Sequence, residues 1–594
     1  MQEFKFFNLT HKVPSGTAQA KQKVSYTLEV AQNVYTPKVY FVYFKDGETE
    51  RFTQEMHFVK MENGYKQFIV QTHFSSAGLY WYYFIAGDKI IQAGKNDGEI
   101  VAQKKLTTPF SEIVTANKPI MDTINYTDGI IYHVFVDRFN KVGEVESREP
   151  LFLNPKWGGS CTDSTDYKVI NSECYGGNLK GITQKLPYLK TLNVKILYLS
   201  PIFYANSNHK YNTADFMQVD PMFGSEEDLK ELCAKAEKLG IKVILDGVFN
   251  HVGSDSVYFD RYSRFGAKGA YNSLSSKYID WFNFAEWPNT YDCWWGDPTL
   301  PCLNESNRTY QNLIVGKNGV IEKYMGLGVS GFRLDVVDEL GDQFLNKICK
   351  KIYEINKSAI IIGEVWEDAS KKISYNERRN YLLGKQLNSV TNYPLKDAIL
   401  EYVKSASTDL LEDTFNNIQD DYPNFVKYNL MNIIGSHDTT RIYSFLKVNS
   451  VSTQDAIKRL KIATLIQYVF VGIPTIYYGD ETLLEDLKPN NSRNCFPWGK
   501  ENINCQNWFI SLGKLRKEKA VVMGEIDLFV PENGVVIIKR SYKKEEILLV
   551  TNMQDNLFEL STEDGYLDYF TAEKITDKIK VGSKGFALLK RKKQ

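Results

Sequence analysis

The chain has no apolar run approaching the roughly 18 residues needed to cross a bilayer. Its start, MQEFKFFNLTHKVPSG, has no basic segment followed by an apolar one. Membrane partners are therefore excluded and no export signal is read, so the expected compartment is cytoplasmic. Excess charge of either sign is also lacking: Lys plus Arg number 72 and Asp plus Glu 72. No long-range field draws in nucleic acid. Cysteine is scarce, eight in 594 residues, and no CxxC pair points to zinc or a redox dithiol. Six of the eight do fall as close pairs in loop-like sequence (161/174, 293/302 and 495/505), a spacing compatible with disulfides, so a secreted or lumenal compartment stands as the alternative. Histidines number seven, among them His209, His251 and His437 in motifs, too few to assume a metal site. Repeats and low-complexity segments are absent. What is abundant is aromatic: 37 Tyr and 34 Phe supply large cores or flat surfaces on which sugar rings stack.

The periodicity changes twice along the chain. Up to about 118 it is β-like, with VYFVYF before Asp46-Gly47 and GLYWYYFIAGD before the next turn, which argues for an N-terminal β-sandwich. From Ile130, short apolar strands alternate with amphipathic helical stretches, the order of a parallel sheet. Eight such strands can be read: IIYHVFV, VKILYLS, IKVILD, GFRLDV, AIIIGEV, LNSVTN, MNIIGS and PTIYYG. The expected fold class is thus α/β, a (β/α)8 TIM barrel over 119–515. A Trp-, Asn- and Gly-rich subdomain at about 252–305 is inserted after the third strand. Beyond 516 the β pattern returns in VVIIKR, EEILLVTN and KGFALLK, a C-terminal antiparallel domain over 516–594.

In such a barrel the site forms at the C-terminal ends of the strands, so polar residues closing apolar runs are the candidates. IKVILDGVFNHVG closes on Asp246, Asn250 and His251; GFRLDVVDE presents Arg333 and Asp335; IIIGEVWED ends on Glu364; NIIGSHDTTR supplies His437 and Asp438. Arg333 and Asp335, two apart, share one face of their strand. Converging acids with a cation beside one of them suit glycoside cleavage: one carboxylate attacks the anomeric carbon and a second, kept protonated, donates to the leaving oxygen. Arg333 is expected to hold Asp335 ionised, and burial behind Ile360-Ile361-Ile362 to raise the pKa of Glu364.

These segments resemble the four signature motifs of the α-amylase superfamily of retaining glycoside hydrolases, in order. YHVFVDRF, YGGNLKGI, SNHKYNTADF and GIPTIYYGDE are similar to its supporting motifs. The resemblance implies Asp335 as nucleophile, Glu364 as general acid/base and Asp438 as the carboxylate that holds the sugar hydroxyls. It places Arg333 beside the nucleophile, Asp246 in the site, His251 and His437 on the sugar, and Tyr211 beneath its ring. The β-rich N-terminal region, LPCLN, GFRLDVVDE with Val336 and GEVWED are similar to the neopullulanase, cyclomaltodextrinase and maltogenic amylase group. In that group the N-terminal domain resembles a starch-binding module and often takes part in dimerisation, so a homodimer is implied. The implied partner is an α-glucan: pullulan, cyclodextrins, maltodextrins or starch. Alternatives within the resemblance are an ordinary α-amylase, an α-1,6-glucosidase or a transglycosylase, and outside it a non-catalytic carbohydrate-binding protein. Trp281, Trp287, Trp294 and Trp295 are read either as outer-subsite platforms or as packing. Two departures stand out. The usual DP-x-NR segment reads Lys488-Pro489-Asn490-Asn491-Ser492-Arg493, leaving Arg493 as the residue retained. The loop DRFNKVGEVESRE is poor in hard oxygen ligands and Asn178 stands where the group has Asp. Asn250 remains a candidate metal ligand, but the expectation is of no required cofactor and no calcium, which takes six to eight oxygens with several carboxylates.

Overall fold

The computed structural model describes residues 2–94, 99–122, 126–159, 167–486, 491–562 and 565–592. The chain divides into two compact units. One comprises Met1–Asp122 with Glu367–Asn388 and Leu411–Lys427, the other Thr123–Trp366, Ser389–Leu410 and Tyr428–Gln594.

In the first unit, mostly antiparallel strands wrap an aromatic core of Tyr26, Phe41, Tyr82, Phe84 and Phe110. The strand Phe52–Glu62 joins two sheets, pairing Val39–Lys45 along its first half and Tyr65–Thr72 along its second. Turns fall at the predicted places, with Gly47 and Gly87 at φ 77° and 64°, where a side chain would be strained. Of the two segments from later in the sequence, 367–388 joins this unit by main-chain bonds, Ala116 N–H to Leu383 O at 2.9 Å and Ile120 N–H to Gly384 O at 3.0 Å. They also bring a buried ion cluster. Lys12 Nζ lies 2.9 Å from Glu112 and 3.3 Å from Asp420, and Lys371 Nζ lies 2.6 Å from Asp421.

The second unit contains the barrel. Its eight parallel strands are β1 (Ile130–Val134), β2 (Val194–Leu199), β3 (Lys242–Gly247), β4 (Gly331–Leu334), β5 (Ile360–Gly363), β6 (Ser389–Val390), β7 (Met431–Asn432) and β8 (Ile473–Tyr477). They hydrogen-bond in the order β6-β5-β4-β3-β2-β1-β8-β7, and a parallel bridge from Thr391 to Met431 closes the ring. All eight sequence-predicted strands are present. Their inward residues, among them Ile131, Ile196, Ile244, Ile360, Ile362 and Ile433, fill the lumen as a packed core. β4 approaches β5 closely because Gly331 has no side chain; a Cβ there would lie 1.9 Å from the Ile360 carbonyl oxygen. Helices follow every strand but one. The connection between β5 and β6 carries a short hairpin, Ile373–Ser374 with Glu377–Arg378, and no helix. Its sequence, EDASKKISYNERRN, is too polar to present an apolar stripe to a sheet.

Between β3 and the helix Arg308–Val315, the chain forms 3-10 turns and a small hairpin, Phe284–Glu286 with Thr290–Tyr291. At the C-terminus five strands, including Val535–Tyr542, Glu545–Asn552 and Gly585–Lys592, form an antiparallel sheet. Cys174, Cys233, Cys293, Cys302, Cys349, Cys495 and Cys505 are free thiols. The 293/302 and 495/505 pairings suggested by spacing are therefore not formed: Cys293 stands opposite Pro301 in a hairpin, which sets it off register from Cys302. The 161/174 pairing involves Cys161, outside the described residues. With these two pairings absent, a lumenal compartment loses its support from them. Among the described residues no helix is long and apolar enough to cross a membrane.

Candidate active site

The C-terminal ends of β3, β4 and β5 place three acids around one guanidinium. Asp246 is the penultimate residue of β3, Arg333 lies within β4, Asp335 follows β4 and Glu364 follows β5. Because neighbouring parallel strands run in register, Asp246 pairs with Arg333 and Arg333 with Ile362, which sets the acids at one level. Arg333 Nη1 donates to Asp335 Oδ1 at 2.6 Å and to Asp246 Oδ1 at 2.9 Å, while Nη2 lies 2.8 Å from Glu364 Oε1. Glu364 Oε2 accepts from the Val336 N–H at 2.8 Å. That N–H is aimed by a strained backbone: Val336, a β-branched residue, sits at φ 37°, ψ 54°.

Arg333 lies beside Asp335, where the sequence places it, and bonds Asp246 and Glu364 as well. Burial raises the pKa of both Asp335 and Glu364 above the carboxylate range, and Arg333 pulls each only partly back. One cation thus stands among three buried acids.

Asp438 is set apart. Its side chain is 33% exposed, the most open of the four acids; it accepts from His437 Nε2 at 3.0 Å, and Arg493 Nη2 lies at 3.8 Å. Against the upward push of burial, His437 and Arg493 hold Asp438 well below the ordinary carboxylate range. Tyr211 lies flat on His437, ring centroids 5.2 Å apart and 4° from parallel, and donates its hydroxyl to Asp246 Oδ2 at 2.8 Å. His251 stacks on Trp294 at 5.4 Å, its pKa lowered to about 4 by burial, so it is neutral at ordinary pH. His251 Nε2 and His437 Nδ1 are buried without a hydrogen-bond partner among the described residues.

All the sequence-predicted acids and Arg333, Tyr211, His437 and Arg493 thus form one linked cluster, with His251 on the loop after β3. Asn250 is buried beside it, its amide nitrogen 3.3 Å from His251 Nδ1. Two contributors were missed, Tyr198 and His133. The Tyr198 hydroxyl donates to Asp246 Oδ2 at 2.5 Å, and the His133 ring stacks on Tyr198 at 4.2 Å and meets His437 edge-on at 5.2 Å. Of the four Trp residues of the insertion, Trp281 is core, packed on Tyr258 and bonded to Thr309, and Trp287 bonds the Ala270 carbonyl. Trp294 lies on His251, and Trp295, stacked on Trp294, is 80% exposed.

The described oxygen ligands of the loop after β1 are engaged within the protein. Asn178 Oδ1 accepts from Gly181 N–H at 2.7 Å as a helix cap and its amide donates to Val142 O. Asp137, a buried carboxylate there, is taken up by the Tyr175 and Gly176 N–H groups and by Arg138. Arg138 in turn bonds the Arg493 carbonyl at 2.8 Å, tying that loop to the residue beside Asp438.

A family model described as the catalytic domain of alpha amylase matches residues 133–525. An amylopullulanase of Thermoanaerobacterium saccharolyticum is 32% identical over 540 residues, which cover 81% of this chain and 41% of that protein. The chain thus spans less than half the length of that relative. A cyclomaltodextrinase of Thermoanaerobacter pseudethanolicus is 34% identical over 444 residues, covering 72% of this chain and 70% of that one. In structure, a cyclomaltodextrinase superposes with a TM-score of 0.71 at 23% identity, covering 97% of both chains, a likeness of fold. Matched across its barrel and over most of its length, this chain belongs to the α-amylase family.

Proposed function

We propose that this chain is a retaining α-glucan hydrolase of the neopullulanase and cyclomaltodextrinase kind. It cleaves α-1,4 bonds, and α-1,6 bonds second, in pullulan, cyclodextrins, maltodextrins or starch. The observation that carries this reading is the single guanidinium of Arg333 shared by Asp246, Asp335 and Glu364. It sets carboxyls of neighbouring strands beside one cation, the arrangement double displacement needs, in which one ionised carboxylate attacks and one protonated carboxyl donates.

In the first step Asp335 bonds to the anomeric carbon as the glycosidic C–O bond breaks, and the proton of Glu364 goes to the leaving oxygen. In the second, Glu364 takes a proton from water, the hydroxide oxygen bonds to the same carbon, and the ester bond to Asp335 breaks. The balance closes with water alone. Asp438, held ionised, binds sugar hydroxyls and stabilises positive charge at the ring. Tyr211 offers its ring to the sugar face. His251 Nε2 and His437 Nδ1, which lack partners among the described residues, are suited to hydroxyls. The Bacillus acidopullulyticus maltogenic alpha-amylase and the Thermoactinomyces vulgaris neopullulanase 2, 30% and 28% identical to this chain, support the same group.

The test is the product profile on pullulan, a cyclodextrin and soluble starch, with Glu364→Gln as the blank. Panose from pullulan and ring opening, both lost in the blank, are expected. Starch cleavage alone would mean an ordinary α-amylase, and products longer than the substrate a transglycosylase. Silence on all three would favour a non-catalytic carbohydrate-binding protein. A homodimer belongs to the same reading, and light scattering that shows only monomer would end it.

A further inference from the structure

Tyr211 stands on a loop, yet its ring lies 4° from parallel with His437 and its hydroxyl is fixed on Asp246. Loops are the mobile parts of a fold, so an aromatic ring carried on one needs a restraint. This loop, residues 206–212, joins the two strands of the hairpin Phe203–Ala205 with Thr213–Val219, which follows β2. Lys210, next to Tyr211, has a left-handed backbone at φ 64°, a region that residues other than glycine seldom enter. Its side chain is wholly buried, which lysine tolerates only when paired.

The pairing reaches back to the root of the same hairpin. Lys210 Nζ lies 2.8 Å from Asp220 Oδ2 and donates to the Ala205 carbonyl at 3.0 Å. Asp220, equally buried, also accepts from the Ala205 N–H at 3.1 Å and from both Nη atoms of Arg148, at 2.6 and 3.0 Å. Arg148 comes from the loop after β1 and donates to the same Ala205 carbonyl at 2.7 Å. At the tip, the Lys210 N–H donates to Ser207 Oγ at 3.0 Å and the Tyr211 N–H to His209 Nδ1 at 3.1 Å. Two cations thus close on one carboxylate beneath the loop. Burial opposes the charge on Asp220, but Lys210 and Arg148 outweigh it and hold the pKa of that carboxyl down. The groups that Lys210 bonds are not those of the catalytic cluster, so its effect on a sugar must pass through the loop.

We infer that Lys210 is a positioning residue for Tyr211: the buried Lys210–Asp220 pair, completed by Arg148, straps the tip of the loop to its root and fixes the ring before a sugar arrives. The inference rests on the hydrolase reading for the role of Tyr211. A ring fixed in advance spares the complex the cost of ordering the loop. That cost falls alike on bound substrate and transition state, so loss of the strap acts on KM rather than on kcat. A purely structural role acts the other way. It lowers the folded fraction, and with it the apparent kcat, and leaves KM where it was.

Kinetics on maltotriose separate the two. Lys210→Met removes the ammonium and keeps the apolar stem, and is expected to raise KM about tenfold while kcat stays within about twofold. Lys210→Gly suits the left-handed backbone but has no strap, and should raise KM as much. In a Tyr211→Ala background, Lys210→Met should add less than about twofold, the mark of a residue that acts through its neighbour. If Lys210→Met fails to fold because Asp220 loses a partner, Lys210→Gln, which keeps a donor for the Ala205 carbonyl, takes its place. A wild-type KM in these single variants, a loss confined to kcat, or an equal rise in KM with and without the Tyr211 ring overturns the inference. Failure of the hydrolase reading shows separately, as a wild-type protein without turnover on any α-glucan. The same variants are then compared by the Kd of maltotriose in calorimetry, where the same rise and the same dependence on Tyr211 are expected.

Discussion

At the scale of single residues, the buried carboxyls of Asp335 and Glu364 make the sharpest claims. Burial raises the pKa of both carboxyls, so the proton that Glu364 must donate is lost at a pH above the usual glutamate value of about 4.3. The basic limb of kcat/KM should therefore lie above that value, and a limb at the ordinary carboxylate value would sink the arrangement. The sign for stability follows from the same shift. A folded pKa above the unfolded one contributes stability that is full below about pH 4 and is lost as pH rises through the folded value. Asp335→Asn removes a buried ionisable acid, so it should abolish turnover while raising the melting temperature at neutral pH. A variant that melts lower than wild type there would contradict this. Asp246, Arg333, Asp335, Glu364 and Asp438 were legible because each closes, or lies within, a short apolar run at a strand end. Tyr198 and His133 were not, because they stand inside continuous apolar strands. Only closure of the ring decides which of their neighbours face the lumen.

At the scale of elements, the turn that leaves β4 carries strain. Val336 holds a left-handed conformation that costs a β-branched residue on the order of 1–3 kcal/mol, and its N–H is aimed at Glu364 Oε2. Val336→Gly fits that conformation without a Cβ and removes a side chain that is only half-buried. Thermal stability is expected to hold or rise, while kcat falls about tenfold as the N–H loses its fixed aim, a change of some 1.4 kcal/mol in the barrier. A drop in melting temperature with kcat intact would show that the left-handed turn is not strained. Val336 was visible in the sequence as a marker of a subgroup, but its conformation was not, because nothing in LDVVDE departs from a strand continuing outward. The missing helix between β5 and β6 was hidden for a related reason. The eight-fold alternation made a helix the default for that connection, and only its polar composition argued otherwise.

At the scale of the whole molecule, the sequence drew a boundary at 118 because the periodicity changes there. The compact unit founded on the N-terminal sheets also takes in 367–388 and 411–427, segments that lie some 250 residues further along the chain and carry no β pattern of their own. Their membership depends on contacts that only folding creates. Lys12, buried, bonds Glu112 and Asp420; Tyr26 donates to Glu112 at 2.7 Å; Lys371 bonds Asp421. Such groups tolerate burial only as a set. Asp421 already has its pKa raised to about 7 by burial and by the neighbouring Asp420 and Asp368, with Lys371 opposing. Deleting 1–118 would leave Asp420 without Lys12 and the Leu383 carbonyl without the Ala116 N–H. Removing one member of a buried ion cluster costs on the order of 3–5 kcal/mol, a large share of a domain's stability. The truncated chain 119–594 is therefore expected to be recovered insoluble, or to melt well below the full chain with little turnover on maltotriose. The charge-neutral variant Lys12→Met should lose part of the same stability without truncation. If the shortened protein instead hydrolysed maltotriose at the full rate and melted at the same temperature, the N-terminal sheets would be a detachable module, and the ion cluster would have no part in holding 367–388, which begins three residues after Glu364.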